Sequence, residues 1–389
     1  MASVPAFLNK VTRSILWRTG IGHWLAANYW QSQEDGEGFR FLCQDSREVF
    51  ANIPARFVDL LYSGFIGDES KRWSLQKSFV LEVSDVLLEP ERLLGTRSGM
   101  KLVQQTVIYK YARQFPFILP HLTRPNNPTR FEKAIWYDGS ATRNYYHYLV
   151  DALINLQQRE RSGLPDDTPV LITRKMYEQI YFQNLYQLSA EMQQLNWYVV
   201  GDKEWVQVDK LYKFQTAPFD AESWQRMRAM YVLPNRKPWR KVFLNCDRKK
   251  YGRYLTNENE VVHMLKELGF EEVFAEHLTI DQQAQLFQDT EYLVALTGAG
   301  LIQQFFMNYD HGHVIEIMPR NRLMPEYYWQ AYTLGMKYYH VVVGGNMRDG
   351  KDYPVETEAV KSAVVRMLDN KQAGKVYGLT ELPMVHFSS

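Results

Sequence analysis

Between Val242 and Val343 short apolar runs alternate with longer amphipathic stretches, and that alternation leaves few folds open. The runs Val242–Asn245, Glu272–Phe274, Tyr292–Leu296, Val314–Ile317 and Tyr339–Val343 are too short for core helices and fit buried strands. The stretches between them carry helix signals. Asn257 with Glu260 predicts a capping box, and Gly269 predicts the end of that helix. Thr279 with Gln282 predicts a second box, with Ile280, Ala284 and Phe287 on the buried face. Strand and helix alternating in this way build a parallel sheet with helices on its faces.

The same pattern begins earlier in the chain. Lys133–Tyr137, Pro169–Thr173 and Trp197–Val200 predict strands, and Tyr145–Gln157 and Lys175–Leu188 predict helices. Ahead of them, Ser78–Val83, Asp85–Leu88 and Leu102–Ile108 predict a meander of short strands, and the stretch 234–240 reads as a linker. A chain of 389 residues is expected to hold more than one core. The expected fold is therefore α/β, two Rossmann-like domains facing one another across a cleft. The expected divisions are a helical extension over 1–75, a first domain over 76–235 and a second over 236–389.

Composition removes several function classes. Net charge is +1, so no global field favours nucleic acid and no nucleic-acid partner is expected. Only two cysteines occur, Cys43 and Cys246, which argues against a disulfide framework or a zinc site and fits a reducing compartment. No apolar run has membrane-spanning length, and no signal peptide is readable. Asn127 is followed by Pro, so no usable Asn-X-Ser/Thr acceptor is present, and a cytoplasmic location is expected. Residues 1–30 predict a helix with Phe7, Val11 and Ile15 on one face and Lys10, Arg13 and Arg18 among them. That face can pack on a neighbouring domain or lie peripherally on an anionic membrane, and the sequence leaves both open.

Three constellations can carry chemistry. The first is the turn Thr297-Gly298-Ala299-Gly300-Leu301 at the end of a predicted strand. It offers free backbone N–H groups to an anion, yet it matches neither the dinucleotide fingerprint, having Gln303 where the third Gly belongs, nor the P-loop. Taken alone it is equally a plain structural turn. The second is the basic segment with Arg248 and Arg253, able to stabilise a departing diphosphate in place of a metal; no Asp-X-Asp metal motif occurs, and no metal is expected. Glu316, a carboxylate in an apolar strand, must be paired, either with ligand hydroxyls or with these arginines. The third is Asn144, His147 and Asp151, which share a face of a regular α-helix. His147 suits a proton acceptor oriented by Asp151, while a buried structural histidine is the competing reading.

The ordered set Asn144-Tyr-Tyr-His147-Tyr-Leu-Val-Asp151, Arg248, Arg253, Asn257-Glu258-Asn-Glu260-Val261, Gly269-Phe270, Gln282 or Gln283, Gly298-Ala-Gly300-Leu301, Phe306 and Val314-Ile-Glu316 resembles glycosyltransferase family 61 over roughly residues 77–345. The resemblance implies a GT-B fold and inverting, metal-independent sugar transfer. The implied partners are a nucleotide-diphosphate sugar, expected to be UDP-linked, as co-substrate and a glycan acceptor, in bacterial capsule or surface-polysaccharide synthesis. No further cofactor is implied. Carried over by position, Arg248, Arg253, Asn257, Thr297, Gly298, Ala299, Gly300, Gln303 and Glu316 would bind the donor. Asn144 would face the acceptor, and His147 with Asp151 would act in catalysis. The chain departs from the family pattern at Thr297, where His is usual, and at Gln303, where Asn is usual. Thr donates a hydrogen bond but carries no charge, so donor identity stays open. A nucleotide-sugar epimerase and a non-catalytic glycan-binding protein are the alternatives.

Overall fold

The computed structural model describes residues 30–31, 38–44, 49–52, 72–75, 78–91, 93–97, 101–103, 127–137, 145–216, 220–231, 237–247, 254–308, 310–322, 326–336, 338–348 and 352–372. The expected helix over residues 1–30, Asn144, Arg248 and Arg253 fall outside them, apart from Trp30. The chain is mixed α/β. It separates into two compact units, Met1–Arg47 with Lys77–Thr216, and Glu48–Gln76 with Ala217–Ser389. The expectation put the break at 235/236. The helix Ala221–Ala229 instead packs within the second unit, with Trp224 against Phe305 and Tyr231 against Phe306 at 5.5 and 4.9 Å between ring centroids.

In the first unit one mixed sheet is organised around the strand Val206–Gln215. On one side it pairs parallel with Thr129–Trp136, Lys213 opposite Trp136, followed by Val170–Thr173 and Trp197–Val200. On the other side it pairs antiparallel with Phe79–Leu88, Leu211 opposite Val83. Of the meander expected over 77–110, the first two pieces are a single strand, Phe79–Leu88, followed by Gly95–Arg97 and Lys101–Val103, and residues 104–110 lie outside the described residues. Asp85 takes φ 56° within Phe79–Leu88, a local kink that reads in the sequence as a break. Residues 39–44, placed in a helical extension by the sequence reading, are a strand antiparallel to Phe79–Leu88, because Phe39 and Phe41 alternate with polar neighbours and pack against the strand's core.

The second unit holds a five-stranded parallel sheet in the order Glu271–Phe274, Arg240–Asn245, Thr290–Leu296, His313–Pro319, Tyr338–Gly344. Numbered along the chain this order is 2-1-3-4-5. Every residue of the 290–296 and 338–344 strands is buried, as parallel strands between two helical layers must be. Val294, Leu296, Ile315, Ile317 and Val342 form one core face with Val261, Leu265, Val360, Val364 and Met367, each burial worth about 1.5–3 kcal/mol. The capping box at Thr279 forms, both hydrogen bonds present. The helix Glu258–Glu267 ends at Gly269, φ 85°, with the Phe270 N–H reaching back to the Leu265 carbonyl at 2.9 Å.

The box expected at Asn257 does not form. Its side chain makes no cap bond and turns to the 355–357 segment, giving Nδ2 to the Val355 carbonyl at 2.8 Å and to Thr357 Oγ1 at 3.2 Å. A contact that distant in sequence is invisible to local spacing. Among the described residues no helix is long and apolar enough to cross a membrane.

Candidate functional site

Open parallel sheets bind ligands outside the carboxyl ends of their strands, where successive connections leave in opposite directions. In the order 2-1-3-4-5 that point lies between strands 240–245 and 290–296. The first of these continues into Cys246 and Asp247 and onward to Arg248, and the second into Thr297-Gly298-Ala299-Gly300. Burial changes there. Residues 290–297 are buried and so are 301–307, but Gly298, Ala299 and Gly300 are partly exposed.

The turn needs its glycines for two different reasons. Gly298 has φ 157° and ψ 177°, a region essentially confined to glycine. Gly300 lies against the sheet, and a Cβ there would come within 3.3 Å of Leu244 Cδ2. The segment Ala299–Phe306 then winds as a 3-10 helix, its first N–H groups facing the turn end. Gln303 is buried inside it and donates from Nε2 to Gln283 Oε1, while Gln283 gives its own amide N–H groups to the Ala275 and Leu278 carbonyls at 2.8 and 3.0 Å. The amides of Gln303 and Asn257 thus bind the fold itself.

The strand end that leads to Arg248 is held in place by polar contacts. Asn245 Nδ2 donates to Glu272 Oε1 at 2.9 Å, the Asp247 N–H donates to Glu276 Oε1 at 2.5 Å, and Asp247 Oδ2 sits 3.1 Å from His277 Nε2. Glu276 and His277 escaped the sequence reading, since neither belongs to a motif. Only the pairing of Glu271–Phe274 beside Arg240–Asn245 brings them here.

Glu316 is fully buried in the 313–319 strand, opposite Ala295 and Val341. The Tyr339 hydroxyl donates to Glu316 Oε2 at 2.5 Å, and among the described residues no ion pair includes this carboxyl. Burial pushes its pKa up to about 8, the hydroxyls of Tyr339 and Thr297 pulling it back and Glu326 adding to the rise. Tyr339 was not anticipated; strand register, which sequence does not show, makes it the partner.

In the first unit the expected α-helix over 145–157 is not regular. One α-turn, Tyr145–His147, passes into a π-turn, Tyr148–Leu153, where the Ile154 N–H reaches the Leu149 carbonyl, and then into a 3-10 turn, Ile154–Gln158. The face shared by Asn144, His147 and Asp151 is an expectation for regular α winding, which this stretch does not keep. Side-chain contacts flank the irregular stretch at both ends. Tyr145 and Tyr148 pack against Tyr181 at 5.9 and 4.7 Å, while Asn155 Oδ1 accepts from the Thr216 N–H at 2.7 Å and Gln158 Nε2 donates to Thr216 Oγ1 at 3.1 Å. His147 is partly exposed, and Asp151 lies within the π-turn. Such turns recur at functional sites.

Residues 145–314, from the turn that bears His147 to the strand that bears Glu316, match the family described as Glycosyltransferase 61. Over this segment the chain is similar to that family. The resemblance read from the motifs is borne out over that range, and the match supports a glycosyltransferase activity, with a sugar donor and a glycan acceptor as its substrates. The matched segment takes in the whole glycine turn and the 240–245 strand end, and stops two residues short of Glu316. A search of the curated proteins finds no match for the chain.

Proposed function

We propose that the protein is an inverting, metal-independent glycosyltransferase that uses a nucleotide-diphosphate sugar and extends a surface glycan at the cytoplasmic face of a bacterial membrane. The observation that carries the donor reading is the partly exposed glycine turn at the topological switch point of the 217–389 unit, beside the strand end that leads to Arg248. The backbone N–H groups of the turn and the guanidinium groups of Arg248 and Arg253 meet the diphosphate. The 77–216 unit supplies the acceptor side in a GT-B arrangement. His147 takes the proton of the acceptor hydroxyl, whose oxygen attacks the anomeric carbon from the face opposite the diphosphate. The anomeric C–O bond breaks, and the diphosphate leaves with the electron pair, its charge stabilised by the arginines and the turn.

A panel of nucleoside diphosphates and nucleotide sugars, read by thermal unfolding, tests the donor half. A ligand present at 100 times its Kd stabilises by about 2.7 kcal/mol. A shift confined to one base or one sugar names the donor, and no shift from any member overturns the reading. Turnover of the donor without an acceptor points instead to an epimerase.

A further inference from the structure

We propose that Glu316 is a positioning residue, a neutral acid that fixes the Thr297 hydroxyl and through it the Gly298–Gly300 turn, instead of a group that touches the donor. The proposal rests on the reading of that turn as the diphosphate site. The geometry is that of a side chain closed off from any ligand. Glu316 has no exposed surface, and its strand lies between the 290–296 and 338–344 strands. Glu316 stands opposite Ala295, and Thr297 lies two residues further along that neighbouring strand, so the two side chains share a face. Tyr339 shares it too, two residues before Val341. Thr297 is itself tied to the Glu316 strand, its N–H donating to the Ile317 carbonyl at 2.9 Å. One face of the sheet therefore carries Tyr339, Glu316 and Thr297 in sequence, ending at the first residue of the turn.

A buried carboxylate needs a cation or several strong donors, and this one has two hydroxyls. Among the described residues, the charged or titratable groups that act on it are Glu326 at the start of the 326–334 helix and Tyr339, whose hydroxyl is kept protonated by its own surroundings, Tyr327 among them. Neither carries positive charge. Tyr339 occupies Oε2, and Oε1 completes no hydrogen bond among the described residues; the Thr297 hydroxyl is the group that acts on the carboxyl from the turn side. With a proton on Oε1, Glu316 donates to Thr297 Oγ1, and the Thr297 O–H is released toward the turn.

Protonation has a measurable consequence that needs no ligand. An unfolded glutamate titrates near 4.3, and Glu316 in the fold near 8. The raised value means the neutral form is favoured by folding. Its stabilisation is complete below about pH 4, fades as pH rises, and is gone above about pH 8.

The test uses the full chain with Glu316→Gln, Glu316→Ala and Thr297→Val. In urea unfolding between about pH 5 and pH 8.5, the midpoint of the unsubstituted protein falls relative to that of Glu316→Gln, and the gap widens with pH. Parallel curves overturn the neutral acid. In nucleoside-diphosphate titrations at neutral pH, Glu316→Gln binds as the unsubstituted protein does. Glu316→Ala and Thr297→Val each bind about tenfold more weakly, the scale of one lost hydrogen bond. Glu316→Gln failing to bind while unfolding normally overturns the proposal in favour of a carboxylate that contacts the donor. Absence of binding to the unsubstituted protein overturns the donor reading and the positioning role with it, while the urea curves still decide whether the carboxyl is neutral.

Discussion

At the carboxyl end of Arg240–Asn245 and Thr290–Leu296 the chain presents glycine backbone, while at the corresponding end of Thr129–Trp136 and Val206–Gln215 it presents packed side chains. In the second pair Lys213 Nζ lies 4.0 Å from the centre of the Trp136 ring, and Trp136 Nε1 is spent on the Leu93 carbonyl at 2.8 Å. Tyr137, Asn155 and Phe214 close around them, leaving a cavity of about 10 Å³, the room of one water. Both places are switch points of their sheets, since Val206–Gln215 returns to the far side of Thr129–Trp136 after the chain has passed through two further strands. Sheet topology alone does not make a ligand site. The Gly298–Gly300 turn is partly exposed and has glycine backbone at two of its three positions, whereas the Trp136–Lys213 end is filled by side chains.

The proposed function divides the chemistry along the same line, with diphosphate binding proposed for the 217–389 unit and proton transfer for the partly exposed His147 of the 77–216 unit. Replacing His147 tests the second half and carries the largest expected effect. His147→Ala should lower kcat by about 10²–10⁴-fold with little change in KM, the range for a lost general base. Near-normal turnover would move the base elsewhere and leave the π-turn as packing only. Arg248→Ala comes next. It should lower kcat by about 10²–10³-fold and also weaken nucleoside-diphosphate binding, which His147→Ala should leave intact. A pair of variants with identical effects on binding and turnover would erase the division of labour.

Legibility in the sequence follows the same contrast. The second unit was readable because its signals are local. Thr279 and Gln282 are three residues apart, Gly269 comes just after its helix, and each strand contains a short apolar run. Val206–Gln215, the strand on which the first unit is organised, was overlooked. It is buried on both sides near its end and carries Asp209, Lys210 and Lys213, so neither strict alternation nor an apolar run marks it. The candidate site was half legible. The turn and its neighbours could be named from motif order, but the tie of Asn257 to Val355, the tie of Gln303 to Gln283 and the pairing of Glu316 with Tyr339 depend on contacts that spacing does not encode. The π-turn was illegible for a related reason. The partners that flank it, Tyr181 and Thr216, lie outside the helix and far along the chain.

The turn itself can be tested without touching its neighbours. Gly298→Ala places a Cβ at φ 157°, ψ 177° and should cost about 1–3 kcal/mol of stability or be relieved by a shift of the turn. Either outcome should weaken nucleoside-diphosphate binding. A Gly298→Ala protein of normal stability and normal affinity would show that the backbone at this position neither needs glycine nor meets the ligand. The contrast with the side-chain-filled end of the other sheet would then lose its meaning.

The smallest expected effect separates a residue that resembles a donor contact from one that holds the fold. Asn257 is a donor contact by the resemblance alone, and its amide gives both roles to the 355–357 segment, donating to the Val355 carbonyl and accepting from the Val355 N–H at 3.3 Å. Those bonds tie the start of the 258–267 helix to the start of the 357–372 helix, which pack on the same face of the sheet. Asn257→Ala should therefore cost about 1 kcal/mol, the net worth of a partly buried hydrogen bond, or roughly 2–4 °C in the unfolding midpoint of a unit this size. Nucleoside-diphosphate affinity should be unchanged once both proteins are compared well below their midpoints. A tenfold loss of affinity with an unmoved midpoint would give the opposite answer. The amide would then exchange its partner at Val355 for the ligand on binding, and the strand-end site would extend from the glycine turn to the start of the 258–267 helix.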